Sequence, residues 1–256
     1  MTISSPQSRA AAREDDRGSL ARELVVIVVI ALVLSVLVRT FVAQAFFVPS
    51  SSMENTLQIQ DRILVSKVTT RFQGVQRGEI VVFTDPGGWL PDPVAQGGVS
   101  GLIRTGLTWV GLLPSDSGDD LVKRVIGIGG DHVVCCDAKN RIVLNGVSLV
   151  EPYTKNGDGT AQVRFDIVVP QGRVFVMGDN RGDSSDSRFH LQVAEGTVPL
   201  DNVVGRVVAV IWPASNWSGE PIPVTFENPK ISEQQPTARP TATASPAPSD
   251  GGSGSG

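Results

Sequence analysis

Residues 121–149 read LVKRVIGIGGDHVVCCDAKNRIVLNGVSL. Three Val/Ile-rich runs, Val122–Ile126, His132–Cys136 and Ile142–Leu144, are cut by turn signals at Gly130-Asp131, Asn140-Arg141 and Asn145-Gly146. β-branched side chains pack well on a pleated surface, and Asn-Gly adopts the left-handed backbone of a tight turn. The stretch therefore predicts short antiparallel strands. Working outward, runs of the same kind occur at Ile63–Val68, Glu79–Phe83, Val163–Val168, Arg173–Met177 and Val203–Trp212, with Gly157-Asp158-Gly159 as a further turn. No long soluble amphipathic helix competes with them. The class expected is mainly β: an antiparallel sheet domain over residues 43–228.

Before this body lies LVVIVVIALVLSVLV at 24–38, fifteen residues without a charge. As a helix it covers ~22 Å, and continuing through Arg39-Thr40-Phe41-Val42 brings it close to the bilayer core if Arg39 snorkels to the headgroups. This predicts one transmembrane helix over 22–42. The preceding tail, 1–21, carries Arg9, Arg13 and Arg17, with Arg22 at the helix start, which places it in the cytoplasm and the body outside. The same pattern also fits a cleavable secretory signal, because Ala43-Gln44-Ala45 has the small-x-small form of a cleavage site.

Two stretches stand apart from the strands. Residues 84–120 form an insertion that opens with a Pro/Gly loop and continues as GLIRTGLTWVGLLP at 101–114, too short to span a bilayer. It fits either an interfacial segment dipping into the outer leaflet or a surface insertion packed on the body. Residues 229–256, rich in Pro, Ser, Thr and Gly, are expected to be a disordered tail.

Composition removes several function classes. A net charge of −4 lacks the Lys/Arg surplus that nucleic acid requires. Two adjacent cysteines, Cys135 and Cys136, supply neither a disulfide framework nor a zinc site, and His132 and His190 are too few for a histidine-built metal centre. No metal, no cofactor and no role for the cysteines is expected.

Three stretches carry chemistry. The first is PSSSMENTL at 49–57, which alone could be a linker. The second is LVKRVIG at 121–127, where strand alternation puts Lys123 on one face with Leu121 and Val125. If that face is inward, desolvation lowers the amine's pKa and makes it a competent general base. If Arg124's face is inward instead, or Lys123 caps a strand edge, it has no such role. The third is GDNRGDSSDSR at 178–188, a charged loop set at the end of a strong strand. Asp186 and Arg188 could pair there and hold Ser184 against a buried amine.

In this order, behind an apolar helix, the three stretches resemble the bacterial type I signal peptidases. The resemblance runs from about Arg39 to Trp212, the insertion aside, and takes in QDRILV at 60–65 and VPLDNVVGRV at 198–207. It implies a membrane-bound serine endopeptidase that removes signal peptides from exported preproteins after Ala-x-Ala-like sites. Position by position, it implies Ser52 as nucleophile and Lys123 as general base. Ser184 would orient the lysine, and Ser50 with the backbone N–H of Ser52 would form the oxyanion hole. Asp186–Arg188 and Asp179–Arg124 would be supporting ion pairs, and Val48, Met53, Leu121 and Val122 pocket walls. The implied partners are signal peptides and the lipid bilayer, with no nucleic acid, and the chain is expected to be a monomer in the plasma membrane.

The chain departs from the family pattern twice, with Asn55 and Gly129 standing where the family usually has proline. Retention of the helix is favoured over its removal, since an enzyme acting on membrane-tethered chains gains effective concentration by staying on the same face. Rival readings are a self-cleaving Ser–Lys repressor-like protease, a Ser-His-Asp hydrolase using His132 or His190, and a non-catalytic envelope-binding module.

Overall fold

The computed structural model describes residues 7–90, 120–155, 157 and 163–236. Helix α1 (Gln7–Phe41) begins well before the apolar run, and its Arg22–Phe41 portion is long and apolar enough to cross a membrane. Leu24 through Ile30 lie exposed along it, as side chains facing lipid would. The chain then enters β1 (Ala43–Phe47), which pairs along its whole length with β2 (Arg62–Ser66), from Ala43 opposite Ser66 to Phe47 opposite Arg62. The tripeptide that resembled a cleavage site is thus inside a sheet, held there by the buried Phe46.

After β2 the expected strand to Val68 stops early. Ser66 accepts a hydrogen bond from the Thr69 N–H and caps a short helix α2 (Lys67–Gln73), which Gly74 ends at φ +73°. The remaining strands are β3 (Ile80–Thr84), β4 (Asp120–Ile128), β5 (His132–Cys135), β6 (Ile142–Leu144), β7 (Val147–Ser148), β8 (Phe165–Val168), β9 (Arg173–Met177), β10 (Val198–Pro199), β11 (Val203–Trp212) and β12 (Ser218–Gly219). All but the two-residue β7, β10 and β12 fall on the predicted runs. Asn140, Asn145 and Gly146 take positive φ, as tight turns beside β6 require.

These strands form two antiparallel sheets. The larger runs β1-β2-β11-β3-β4-β9-β10, with β12 added to β11, and the smaller runs β7-β6-β5-β8. Strand β4 lies inside the larger sheet and is covered on both sides. Val125 packs with Val81, Phe83, Val174 and Val176 on one face. Ile126 packs with Phe175, Met177 and the smaller sheet's Val133, Ile142 and Leu144 on the other. The choice between two faces is therefore answered by both: Lys123 and Arg124 are each 2% exposed.

The folded body also extends past residue 228. Asn228 caps a short helix, Pro229–Glu233, whose Ile231 is fully buried in the Ile126 cluster and accepts a hydrogen bond from Asn145 Nδ2 at 2.8 Å. One apolar residue in a polar stretch is enough to seat that turn, and beyond it Gln235 Nε2 still donates to Gly129 O at 3.0 Å. Cys135 and Cys136 are bonded to each other as a disulfide. The apolar segment at 101–114, Asp158-Gly159 of the expected turn, and residues 237–256 of the tail lie outside the described residues.

Candidate active site

The turn that carries Ser52 grows directly out of the edge of the larger sheet. Val48 N–H donates to Asp61 O and Gln60 N–H donates to Val48 O, both at 2.9 Å, extending the β1–β2 ladder by one residue. Pro49 and Ser50 then lead into a single 3-10 turn, Ser51–Met53. Buried Met53 and Leu57 pin this turn to the core that also holds Val48 and, at its edge, Val122. Asn55 sits at φ +91°, outside the range a proline ring permits, and its side chain donates to Tyr153 O at 2.8 Å. The residue that stands where the resembled family usually has proline is thus suited to this turn.

From the other side the turn is gripped by the charged loop. Asn180 donates its backbone N–H to Ser52 O at 3.0 Å and its amide Nδ2 to Ser51 O at 3.1 Å. Ser51 donates its hydroxyl to Asp183. A β-carbon on Gly178 would lie 2.3 Å from Ser184 Oγ and 2.4 Å from Ser52 O, so only glycine lets the two segments meet.

Lys123 reaches Ser52 here. Its Nζ lies 2.6 Å from Ser52 Oγ and 3.2 Å from the Val122 carbonyl oxygen, and no ion pair among the described residues includes it. Burial pushes its pKa down from 10.5 to about 8, against the pull of the Asp186 and Asp179 charges. As an ammonium it donates to the serine, and as an amine it can accept the serine's proton over the same separation.

Around this pair lie the predicted supports. Arg188 Nε and Nη2 donate to the two oxygens of Asp186, each at 2.8 Å, with both side chains fully buried. Burial opposes ionisation of Asp186, but Arg188, the Gly178 N–H and the Ser184 hydroxyl outweigh it and hold the carboxyl below its usual range. Arg124 makes a second bidentate pair with Asp179, at 2.9 and 2.6 Å, and donates to Gly78 O. Ser184 Oγ donates to Asp186 Oδ2 at 2.8 Å, while the lysine's two hydrogen bonds go to Ser52 and Val122.

Ser50 Oγ sits 3.3 Å from Ser52 Oγ. Of the four expected pocket walls, Val48, Met53 and Val122 come together in one cluster. Leu121 lies on the opposite face with Val81 and Phe83.

Sequence reasoning missed four members. Thr56 Oγ1 donates to Asp179 at 2.5 Å and so links the Ser52 turn to the Arg124–Asp179 pair. Arg181 forms a buried bidentate pair with Glu151, at 3.0 and 2.5 Å. The ring of Tyr153 lies 4.2 Å under Arg124. Thr56 and Arg181 fall inside the quoted motifs and could have been flagged, whereas nothing near Glu151 or Tyr153 signals a partner.

The histidines stand elsewhere. His132 pairs with the exposed Asp166 at 2.5 Å, and His190 stacks on Trp89 with Nδ1 at Asp186 O. Neither is hydrogen-bonded to Ser52. Among the described residues no cluster of His, Cys, Asp and Glu could hold a metal ion.

Compared with known proteins, residues 21–212 match the family described as signal peptidase, peptidase S26. The probable signal peptidase I of Mycobacterium leprae is 36% identical over 236 residues, covering 80% of this chain and 81% of that protein. Signal peptidase I of Mycobacterium tuberculosis is 36% identical over 236 residues, with 82% and 80% covered. The probable signal peptidase I-2 of Synechocystis is 32% identical over 216 residues, with 80% and 84% covered. A crystal structure of a signal peptidase I from Enterococcus faecalis matches at 28% identity and a TM-score of 0.33, covering 52% of this chain and 95% of that one.

Proposed function

The chain belongs to the signal peptidase family, peptidase S26, and is a serine endopeptidase; on that premise we propose that Ser52 and Lys123 form its catalytic dyad and remove the signal peptides of exported preproteins after Ala-x-Ala-like sites. The observation that carries this reading is the 2.6 Å contact between a buried lysine amine and a serine hydroxyl, with no carboxylate paired to the amine. At a pKa of about 8, about one lysine in ten is neutral at pH 7. A substrate strand laid over the site excludes water and raises that share.

Ser52 Oγ attacks the scissile carbonyl as Lys123 takes its proton. The lysine returns the proton to the leaving amine, and water then deacylates the acyl-enzyme with the same base. The Ser50 hydroxyl and the Ser52 N–H stabilise the oxyanion, a contribution of about 10²–10³ in rate per donor. The preprotein has a place to add as a strand. Strand β1 is outermost in its sheet, and β4 pairs with β9 only from Arg124 onward, so among the described residues no strand lies beside Leu121–Lys123 on that side. Val48, Met53 and Val122 would then wall shallow pockets that exclude large side chains. In this arrangement Ser184 acts on the lysine through Asp186 rather than by direct contact.

Helix α1 would hold the enzyme in the plasma membrane as a monomer, N-terminus inside and catalytic body outside. The arginines before residue 22 support that orientation. Because β1 is paired throughout, the nucleophile would stand at a fixed height above the anchor rather than on a loose tether.

The test is processing of a preprotein with an Ala-x-Ala site in detergent. Wild type should release the shortened chain, while Ser52→Ala and Lys123→Ala, each checked for folding by circular dichroism, should not. Processing by either variant would overturn the dyad.

A further inference from the structure

Where α1 meets the body there is a polar cleft of about 400 Å³ lined by Thr40, Lys67, Thr70, Arg71, Leu200 and Asp201. Thr40 is next to last in α1, and the Lys67 N–H donates to Val42 O at 3.0 Å, which ties α2 to the helix end. The cleft therefore opens at the level where the apolar span stops, the depth of lipid headgroups. Lys67 and Arg71, four apart on α2, share one face of that short helix. Burial and the nearby Arg39 charge both disfavour the ammonium form of Lys67, partly offset by Asp120. An anion placed beside Lys67 would favour its charged form again. Thr70 Oγ1 is buried and has no hydrogen-bond partner among the described residues. The lining also holds apolar Leu200, 40% exposed, with Val203 and Val204, and the chain neighbours of Thr40 and Arg71, Phe41 and Phe72, are 54% and 81% exposed.

We propose that this cleft binds the phosphodiester of an anionic phospholipid, with Lys67 and Arg71 on the phosphate oxygens and Thr70 donating its hydroxyl, so that one lipid fixes the catalytic body against the bilayer. Asp201 in the wall disfavours a dianion more than a monoanion, which selects a phosphodiester over inorganic phosphate. Leu200 and Phe41 offer the glycerol and upper acyl carbons a surface that a free ion cannot use. The proposal rests on α1 being a membrane anchor and is independent of the dyad.

The full chain is placed in nanodiscs of phosphatidylcholine with a minor fraction of phosphatidylglycerol, and the lipid retained after mild detergent release is counted by native mass spectrometry. Wild type should retain phosphatidylglycerol over phosphatidylcholine by about tenfold, from two basic contacts near the surface. Arg71→Gln, an exposed change that cannot unfold the body, should lose most of that enrichment, and Thr70→Val a smaller part. Lys67→Arg should keep it. Equal retention of both lipids by wild type, or full enrichment in Arg71→Gln, would overturn the site. Displacement of the lipid by excess inorganic phosphate would overturn the lipid assignment. Failure to enter the nanodisc would remove the anchor and the site with it, while leaving peptide cleavage in detergent, and so the dyad, untouched.

Discussion

Lys123 and Arg124 are neighbours on one strand, equally buried, and on opposite faces. Arg124 meets two carboxylate oxygens, a carbonyl and an aromatic ring, so although burial works against its charge, Asp179 holds it protonated. Lys123 meets a hydroxyl and a carbonyl, and its hold on the proton loosens. The difference shows that burial alone does not loosen a proton. Burial without a counter-ion does, on a group whose proton can leave at all. Exchanging the side chains tests this most severely. Lys123→Arg keeps a cation that cannot deprotonate, so preprotein processing should fall about 10⁴-fold or more, while Arg124→Lys should process at a rate within about tenfold of wild type per folded molecule. A Lys123→Arg enzyme within about tenfold of wild type would end the distinction between the two positions.

Stability should split the pair in opposite directions. Arg124→Met strips the fully buried Asp179 of its partner and should cost about 3–5 kcal/mol, read from the denaturation midpoint. The carboxylate's remaining bond from Thr56 is too little to replace a bidentate guanidinium. Lys123→Met removes a cation the fold disfavours. With a folded pKa of about 8 against 10.5 unfolded, the unfolded chain binds more protons between those values. The lysine's burden is therefore full below pH 8 and lifts as pH rises towards 10.5. The variant should gain roughly 1–3 kcal/mol at pH 7, and the gain should vanish above about pH 10.5. A Lys123→Met protein less stable than wild type at neutral pH would mean that the amine's hydrogen bonds outweigh its desolvation.

The two cations also mark what the sequence could disclose. Alternation along 121–127 separates Lys123 from Arg124, but it cannot say which face is inward when layers cover both. The turn-bounded strands were legible because β-branched runs and Asn-Gly act locally, as β6 and its flanking turns show. Strand β1 was not, because AQAFF has no alternation and directly follows a run that dominates any hydropathy reading. At 66–68 a serine cap competes with β-branched Val68, and only contact with the end of α1 decides for helix. The bidentate pairs inside GDNRGDSSDSR were foreseeable in part, since Asp186 and Arg188 are two apart. Glu151, thirty residues from Arg181, finds its partner only through the tertiary fold.

The finest test of the comparison asks how much of the lysine's hold on its proton comes from charges it does not touch. In wild type kcat/KM should rise about tenfold per pH unit on the acid side and level off near pH 8, as the neutral amine accumulates in free enzyme. Asp186 attracts that proton through space and Arg188 repels it. Asp186→Asn removes the attraction and leaves the repulsion, so the limb should move to lower pH. This holds even though the variant is less stable and its maximal rate lower, because a limb's position does not depend on how much enzyme is folded. A limb that stays at pH 8 would mean that desolvation by the packed walls of the site sets the lysine's pKa alone. A limb that moves up would mean that the substitution lets water reach the amine and relieves its desolvation by more than the lost attraction of Asp186.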